Sequence, residues 1–323
     1  MHKQLPTWQL IQKSLQQKTA VMLLYVLESK GSSPGRQGFL MAVNTAGETS
    51  GSLGGGIMEH KFVEMAKAKL RQNILHETSL HYQFHDKEAA KNQSGMICSG
   101  EQTIFFYKVL PGEINIIDTL IRSLEQNKNG TLQLSPEGID FSEDIPASDF
   151  TLELETESTF VYREKTGYKN YLHIIGGGHC ALAFSRLMST MDFFITLYDD
   201  RRPLNTIEQN QFAHEVKILD DYSQVSSMIP SGTNRYVVIM TVGYRTDEIA
   251  LRALLAKDFK YIGLLGSKTK TNKLLKDLQA EGFANDVLSR IHAPVGMAIK
   301  SQSPEEIAVS IAAEIIQVKN RLL

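Results

Sequence analysis

The stretch YLHIIGGGHCALAFSRLMSTMDFFITLYDDR, Tyr171–Arg201, decides the fold of half the chain. A short apolar run reaches Gly176-Gly177-Gly178 and passes at once into a helical pattern; a second apolar run ends on Asp199 and Asp200. Short apolar runs of this kind read as strands buried on both faces, with a crossover helix between them. Gly176 to Ala181 fits G-x-G-x-x-A, and the acids fall about 20 residues on, where a dinucleotide-binding unit keeps its ribose-reading carboxylate. Glycine permits positive φ and close approach of the backbone to a diphosphate. The helix start supplies free N–H groups and the positive end of a dipole. Gly176, Gly178, His179, Asp199 and Asp200 are therefore candidate nucleotide contacts. The alternative is a turn that only packs helix on strand. His179 stands open between a phosphate contact, proton transfer and a solvated helix start, and Cys180 reads as packing.

Downstream the rhythm continues: RYVVIMT (strand), TDEIALRALLAKD (helix), YIGLLGS (strand), KTNKLLKDLQAEG (helix), and a long final helix from Ser303-Pro304-Glu305-Glu306. Alternating strands and helices imply a parallel sheet with right-handed crossovers. Ser303, Pro304 and Glu306 form a capping-box pattern. Gly266-Ser267-Lys268 resembles another phosphate-facing turn, where Lys268 and Lys270 are cations for an anion; a solvated charged turn is the equal alternative. His292 is read on a loop, where function more often sits.

Upstream the pattern changes. Leu5, Trp8, Ile11 and Leu15 give a helical stripe, Ala20 to Glu28 a buried strand, and FLMAVN a second strand. A helix is expected from Glu59 to Leu70, a strand from Gln102 to Leu110, and short antiparallel strands between Thr131 and Arg163. The fold class expected is thus α/β, an N-terminal α+β domain over 1–166 followed by a Rossmann-like parallel-sheet domain over 167–323, with the join near Lys165 to Asn170. Two glycine-dense loops, Gly31 to Gly38 and Gly51 to Gly56, flank one strand. Such loops form anion-binding nests, and Arg36 suits a phosphate or carboxylate. Tight turns, with Glu59 as a helix cap, are the alternative. Cys98, among Ser and Gly, is either an accessible thiol for sulfur or a soft metal, or a structural residue.

Bulk properties bound the function. The chain has 323 residues, enough for two domains, and a formal net charge of -2, which gives no pull toward nucleic acid or an anionic membrane. Two cysteines make neither a disulfide framework nor a zinc site. No long uncharged apolar run or secretory leader is read, so the expected location is cytoplasmic, with no membrane partner.

Taken together, GSSPGRQGFLMAV, GSLGGGIME, MICSGE, IIGGGHCA, YDDR, YIGLLGSKTK and RIHAPVGMAIKSQSPEEIAVSIAAEII resemble the XdhC/CoxI family of xanthine dehydrogenase accessory proteins. They span nearly the whole chain in the family's order, the last being the most specific. The resemblance implies a chaperone rather than a catalyst. It would bind molybdenum cofactor (molybdopterin) as cargo, assist its sulfuration and deliver it to a xanthine dehydrogenase-type molybdenum hydroxylase. A cysteine desulfurase as further partner and a homodimer are implied with it. The cargo would face Gly54, Gly55 and Gly56, with Arg36, Glu59 and Cys98 nearby; Ser267, Lys268 and His292 complete the candidate set. The chain departs from the family's pattern in three places. Gly35 stands between Pro34 and Arg36, Ser99 follows Cys98 where Gly is usual, and the turn Thr241 to Asp247 lacks a histidine.

Two other classes compete. An NAD(P)-dependent oxidoreductase requires an acid/base set over the nicotinamide, and none is evident in the sequence. A nucleotide-binding regulatory module requires nucleotide binding that survives loss of Cys98. A cleft between the glycine loops and the Rossmann switch point is the expected ligand location.

Overall fold

The computed structural model describes residues 2–72, 74, 76–84, 100–202 and 204–320. The chain divides into two compact units, Met1–Gly167 and Tyr168–Leu323.

The first unit runs α1 (Leu5–Gln16), β1 (Val21–Gly31), β2 (Leu40–Asn44), β3 (Thr49–Gly51), α2 (Gly56–Arg71), β4 (Thr78–Phe84), β5 (Gly100–Lys108), α3 (Ile114–Glu125), β6 (Thr131–Ser135), β7 (Gly138–Ser142), β8 (Phe150–Thr156) and β9 (Thr159–Lys165). Its strands form two antiparallel sheets, ordered β3-β2-β1-β5-β4 and β7-β6-β9-β8. β1 explains the apolar run that begins this half. Every residue from Val21 to Leu27 is buried. Leu23 and Tyr25 pack in the core that holds Trp8 of α1 and Leu120 of α3, whereas Met22, Leu24 and Val26 pack in the core that holds Phe62 and Ala66 of α2. A strand covered on both faces shows a continuous run rather than alternation. α2 begins inside the glycine triplet, three residues before the expected start, so Glu59 lies in the first turn. β4, TSLHYQF, is a strand that the sequence reading does not assign.

The second unit runs β10 (Asn170–Ile175), α4 (His179–Met188), β11 (Phe193–Asp199), α5 (Asn205–Glu208), β12 (Glu215–Ile218), α6 (Val225–Met228), β13 (Gly232–Ile239), α7 (Tyr244–Leu254), β14 (Phe259–Leu264), α8 (Lys268–Ala280), α9 (Asn285–Ser289), β15 (Ile291–His292) and α10 (Pro304–Asn320). Its parallel sheet is ordered β12-β11-β10-β13-β14-β15. Counted from β10, this is the 3-2-1-4-5-6 order of the doubly wound nucleotide-binding fold, whose switch point falls between the first and fourth strands. Here that is the gap between the ends of β10 and β13. One face packs Leu172, Ile174 and Phe184 with Ile311 and Ile315 of α10; the other packs Ile175 and Ile239 with Leu251 and Leu254 of α7. His292 is not on a loop, as expected from its Pro and Gly neighbours. It sits in a two-residue edge strand, in register with Gly263. The capping box at α10 forms: Ser303 N–H donates to Glu306 Oε2 and Glu306 N–H to Ser303 Oγ, both at 3.2 Å. Among the described residues no helix is long and apolar enough to cross a membrane.

Candidate functional site

In the first unit the two glycine loops touch. A Cβ on Gly35 would lie 2.1 Å from Leu53 O, and one on Gly54 2.4 Å from Gly35 N. Gly100, at the start of β5, meets the same assembly: its Cβ would lie 2.6 Å from Ser33 N. Backbone therefore packs on backbone at three points, which a side chain on any of these residues would prevent. Gln102, buried on β5, ties the loops down by donating from Nε2 to Gly35 O at 3.0 Å. Gly54, Gly55 and Gly56 all have positive φ, between 77° and 117°.

The carboxylate of Glu59 turns back into this assembly. Its Oε2 accepts from Ser52 Oγ at 2.6 Å, Leu53 N–H at 2.8 Å and Gly55 N–H at 3.0 Å. Those are donors that an anion-binding nest would offer, so Glu59 acts as an internal anion that shapes the loop. Arg36 is exposed, with Nη1 donating to Gly31 O at 2.9 Å. Ile57, in the first turn of α2, is 77% exposed and places an apolar side chain beside the loop. Cys98 lies outside the described residues.

In the second unit the turn after β10 is set by contact with the turn after β13. Gly176 has φ +108°, and a Cβ there would lie 2.4 Å from Met240 O. A Cβ on Gly177 would strike Ile207 at 2.7 Å, whereas one on Gly178 would meet open space. His179 is the first residue of α4 and is exposed. Cys180 is half-buried, and burial, then Glu305, pushes its thiol up, which suits packing rather than reactivity.

Asp199 is fully buried behind the turn. Its Oδ2 accepts from Gly177 N–H at 2.6 Å and Arg201 Nη2 at 2.7 Å; its Oδ1 accepts from Arg201 N–H at 2.9 Å and Arg201 Nε at 2.8 Å. Burial works against ionisation, but the bonds from Arg201 and Gly177 outweigh it and hold the carboxyl below its usual range. Asp200 is exposed, and after burial and Asp199 it helps push the Tyr222 phenol up.

The neighbouring turns are also internally organised. Asp247 is buried, accepts from Thr241 N–H at 3.0 Å and pairs with Lys270, so that this lysine is engaged within the fold rather than offered to an anion. Ser267 caps α8 by accepting from Lys270 N–H at 3.2 Å, and Lys268 is exposed in the first turn. Val242, at the mouth of this turn, is 75% exposed. Ser267 and Lys268 thus share the carboxyl edge of the sheet with Gly176 and Gly178.

His292 does not join them. Its ring stacks on Tyr261, with centroids 4.5 Å apart, and its Nδ1 lies 3.1 Å from Glu314 Oε1. Glu314 also accepts from Tyr261 OH at 2.5 Å and Gly296 N–H at 2.8 Å. Burial opposes ionisation of Glu314, yet bonds from His292, Tyr261 and Gly296 hold it at about 2. A cleft of about 240 Å³ lined by Leu254, Phe259, Ile262 and Arg290 opens at the opposite, amino-terminal end of β14 and meets none of these turns.

Sequence reading misses Gln102, Gly100, Arg201 and the Asp247–Lys270 pair. The glycine two residues after Cys98 and the arginine after the double acid are visible signals for two of them.

Two family models match the chain. The XdhC and CoxI family covers residues 14–82, and the XdhC Rossmann domain covers residues 172–315. The chain is 24% identical over 309 residues to the uncharacterized protein YqeB of Escherichia coli (strain K12), covering 94% of this chain but only 44% of that one. It is 23% identical over 327 residues to a Bacillus subtilis (strain 168) protein named as a probable xanthine dehydrogenase subunit, covering 95% and 96% of the two chains. A crystal structure described as a xanthine dehydrogenase from Bacillus halodurans shares the fold, with a TM-score of 0.72 at 23% identity over 98% of this chain and 97% of that one.

Proposed function

The chain belongs to the XdhC and CoxI family, and from that premise we propose that it is an accessory protein of a xanthine dehydrogenase-type molybdenum hydroxylase. In this reading it binds molybdenum cofactor, assists its sulfuration and inserts it into the apoenzyme. It works in the cytoplasm as a homodimer and receives sulfur from a cysteine desulfurase. The observation that supports it most is the pairing of both family domains in one chain, together with relatives named for xanthine dehydrogenase.

The geometry of the first unit suits holding rather than turnover. Gly35, Gly54 and Gly100 fix a rigid backbone platform, and Arg36 places an exposed cation on its rim. A fixed guanidinium recognises a phosphate well. Glu59 takes the role of a positioning residue, because its carboxylate is spent on the loop. Cys98, two residues before Gly100 in sequence, is the proposed thiol at the cargo.

A second reading is favoured by the strand order and the Gly176 to Gly178 turn: the second unit binds a nucleotide. Gly178 leaves room for a diphosphate at the start of α4. As an oxidoreductase site it fares poorly, since Asp247 and Lys270 beside the turn are paired with each other.

The test is the pterin and molybdenum content of the full chain purified from cells that make the cofactor, beside Cys98→Ala. Cofactor on the parent and little on the variant supports the reading. Equal loading keeps the chaperone and removes Cys98 from its site. Absence of pterin from both, with NAD(P) bound instead, transfers the assignment to the nucleotide-binding module.

A further inference from the structure

A turn that reads a ribose diol keeps a carboxylate oxygen free for the hydroxyls. At Asp199 none is free. A carboxylate offers about four acceptor positions, and four donors already occupy them: Gly177 N–H, Arg201 N–H, Arg201 Nε and Arg201 Nη2. Admitting a hydroxyl would require Arg201 to let go and leave a buried carboxylate short of its cation, a strongly unfavourable exchange.

The same bonds fix Arg201 as a receptor. Its side chain remains 35% exposed, and its Nη1 makes no hydrogen bond among the described residues. One end of the guanidinium is clamped to Asp199, so the other presents donors whose ordering cost is already met. The carboxylate that clamps it also accepts from Gly177 N–H, and Gly178, the next residue of the turn, has open space at its Cβ position. Going outward from the turn, a ligand laid along its backbone thus meets a fixed cation where a diol-reading site presents an acid.

We infer that the Gly176 to Gly178 turn takes a nucleotide whose ribose carries a phosphomonoester, held by Arg201, and discriminates against one with a free ribose diol. The inference rests on the reading of this turn as nucleotide-facing and is independent of the accessory role. Asp200 is the competing group. It is exposed, and its Oδ1 lies 3.9 Å from Arg201 Nε. If Asp200 read the diol, the preference would reverse.

The experiment is calorimetric titration of the full chain with NADP+ and with NAD+. NADP+ is expected to bind at least about tenfold more tightly, the scale of one charge-assisted contact. Arg201→Leu should bring the two within about twofold of each other. Because that variant strands Asp199, Arg201→Lys is measured beside it; it keeps the charge, loses the fork, and should retain part of the preference. Equal affinities in the parent, or tighter NAD+ binding that Asp200→Asn abolishes, would overturn the inference while leaving the turn a nucleotide site. Failure of both nucleotides to bind would overturn the turn reading with it. Neither result touches the accessory role, which cofactor loading decides.

Discussion

Both units place a carboxylate against a glycine turn, and they use it differently. In the first, Glu59 fills the loop's own N–H donors, and no cation partners that oxygen among the described residues. Gly35, Gly54 and Gly100 there serve interlocking backbones, while Gly55 leaves its Cβ position open. In the second, Asp199 sits behind the turn, neutralised by Arg201, and Gly178 faces open space. A glycine cluster alone therefore does not say whether it cradles a ligand or lets two chain segments touch. The location of the nearest carboxylate and the room for a Cβ do.

The sharpest way to break this contrast is to add one methyl in each unit. Gly54→Ala puts a Cβ 2.4 Å from Gly35 N at φ +117°. It should cost about 3 kcal/mol or more in urea unfolding, since overpacking and backbone strain add. Gly178→Ala meets nothing and should cost under about 1 kcal/mol, the usual loss at a helix N-cap. Similar costs at the two positions would erase the distinction.

A smaller effect is expected at Glu314. Its folded carboxyl sits at about 2 against an ordinary 4.5. A depressed value stabilises the fold above the ordinary pKa, and that contribution fades as pH falls from 4.5 toward 2. Glu314→Gln should thus be less stable than the parent at neutral pH and converge with it in acid. Thermal melts across that range check this; a gap that stays constant would show that ionisation plays no part. Glu59→Gln, which keeps one acceptor oxygen, should lose about 1 kcal/mol, read by the same unfolding assay. If it leaves the glycine loop's stability unchanged, Glu59 is not the loop's internal anion.

Much of the second unit is legible in sequence for a physical reason. Parallel strands covered on both faces appear as unbroken apolar runs, and the turn between β10 and α4 needs glycine at Gly176 because Met240 O lies against it. β15 is not legible: two residues, Ile291 and His292, are too few to show a period. β4 does carry a strand signal, the alternation of Leu80, Tyr82 and Phe84 with His81 and Gln83, which the sequence reading passes over. The site residues are harder than the elements. Sequence shows Asp199 and Arg201 two apart but not that the arginine folds back onto the acid. Glu59 is visible as a helix-start acid, and its alternative reading as a cap is the nearer one, since it holds the loop before α2. Lys270 and Asp247 are 23 residues apart, and only the sheet's turns bring them together.

The accessory role is tested most directly by transfer. The full chain, purified with its cofactor, is incubated with an apo-hydroxylase of the xanthine dehydrogenase type, and pterin and activity are followed on the hydroxylase. The account predicts that pterin leaves this chain and activity appears at a rate above that given by the same amount of free cofactor. Activation no faster than with free cofactor, or a pterin that stays on this chain, would contradict it.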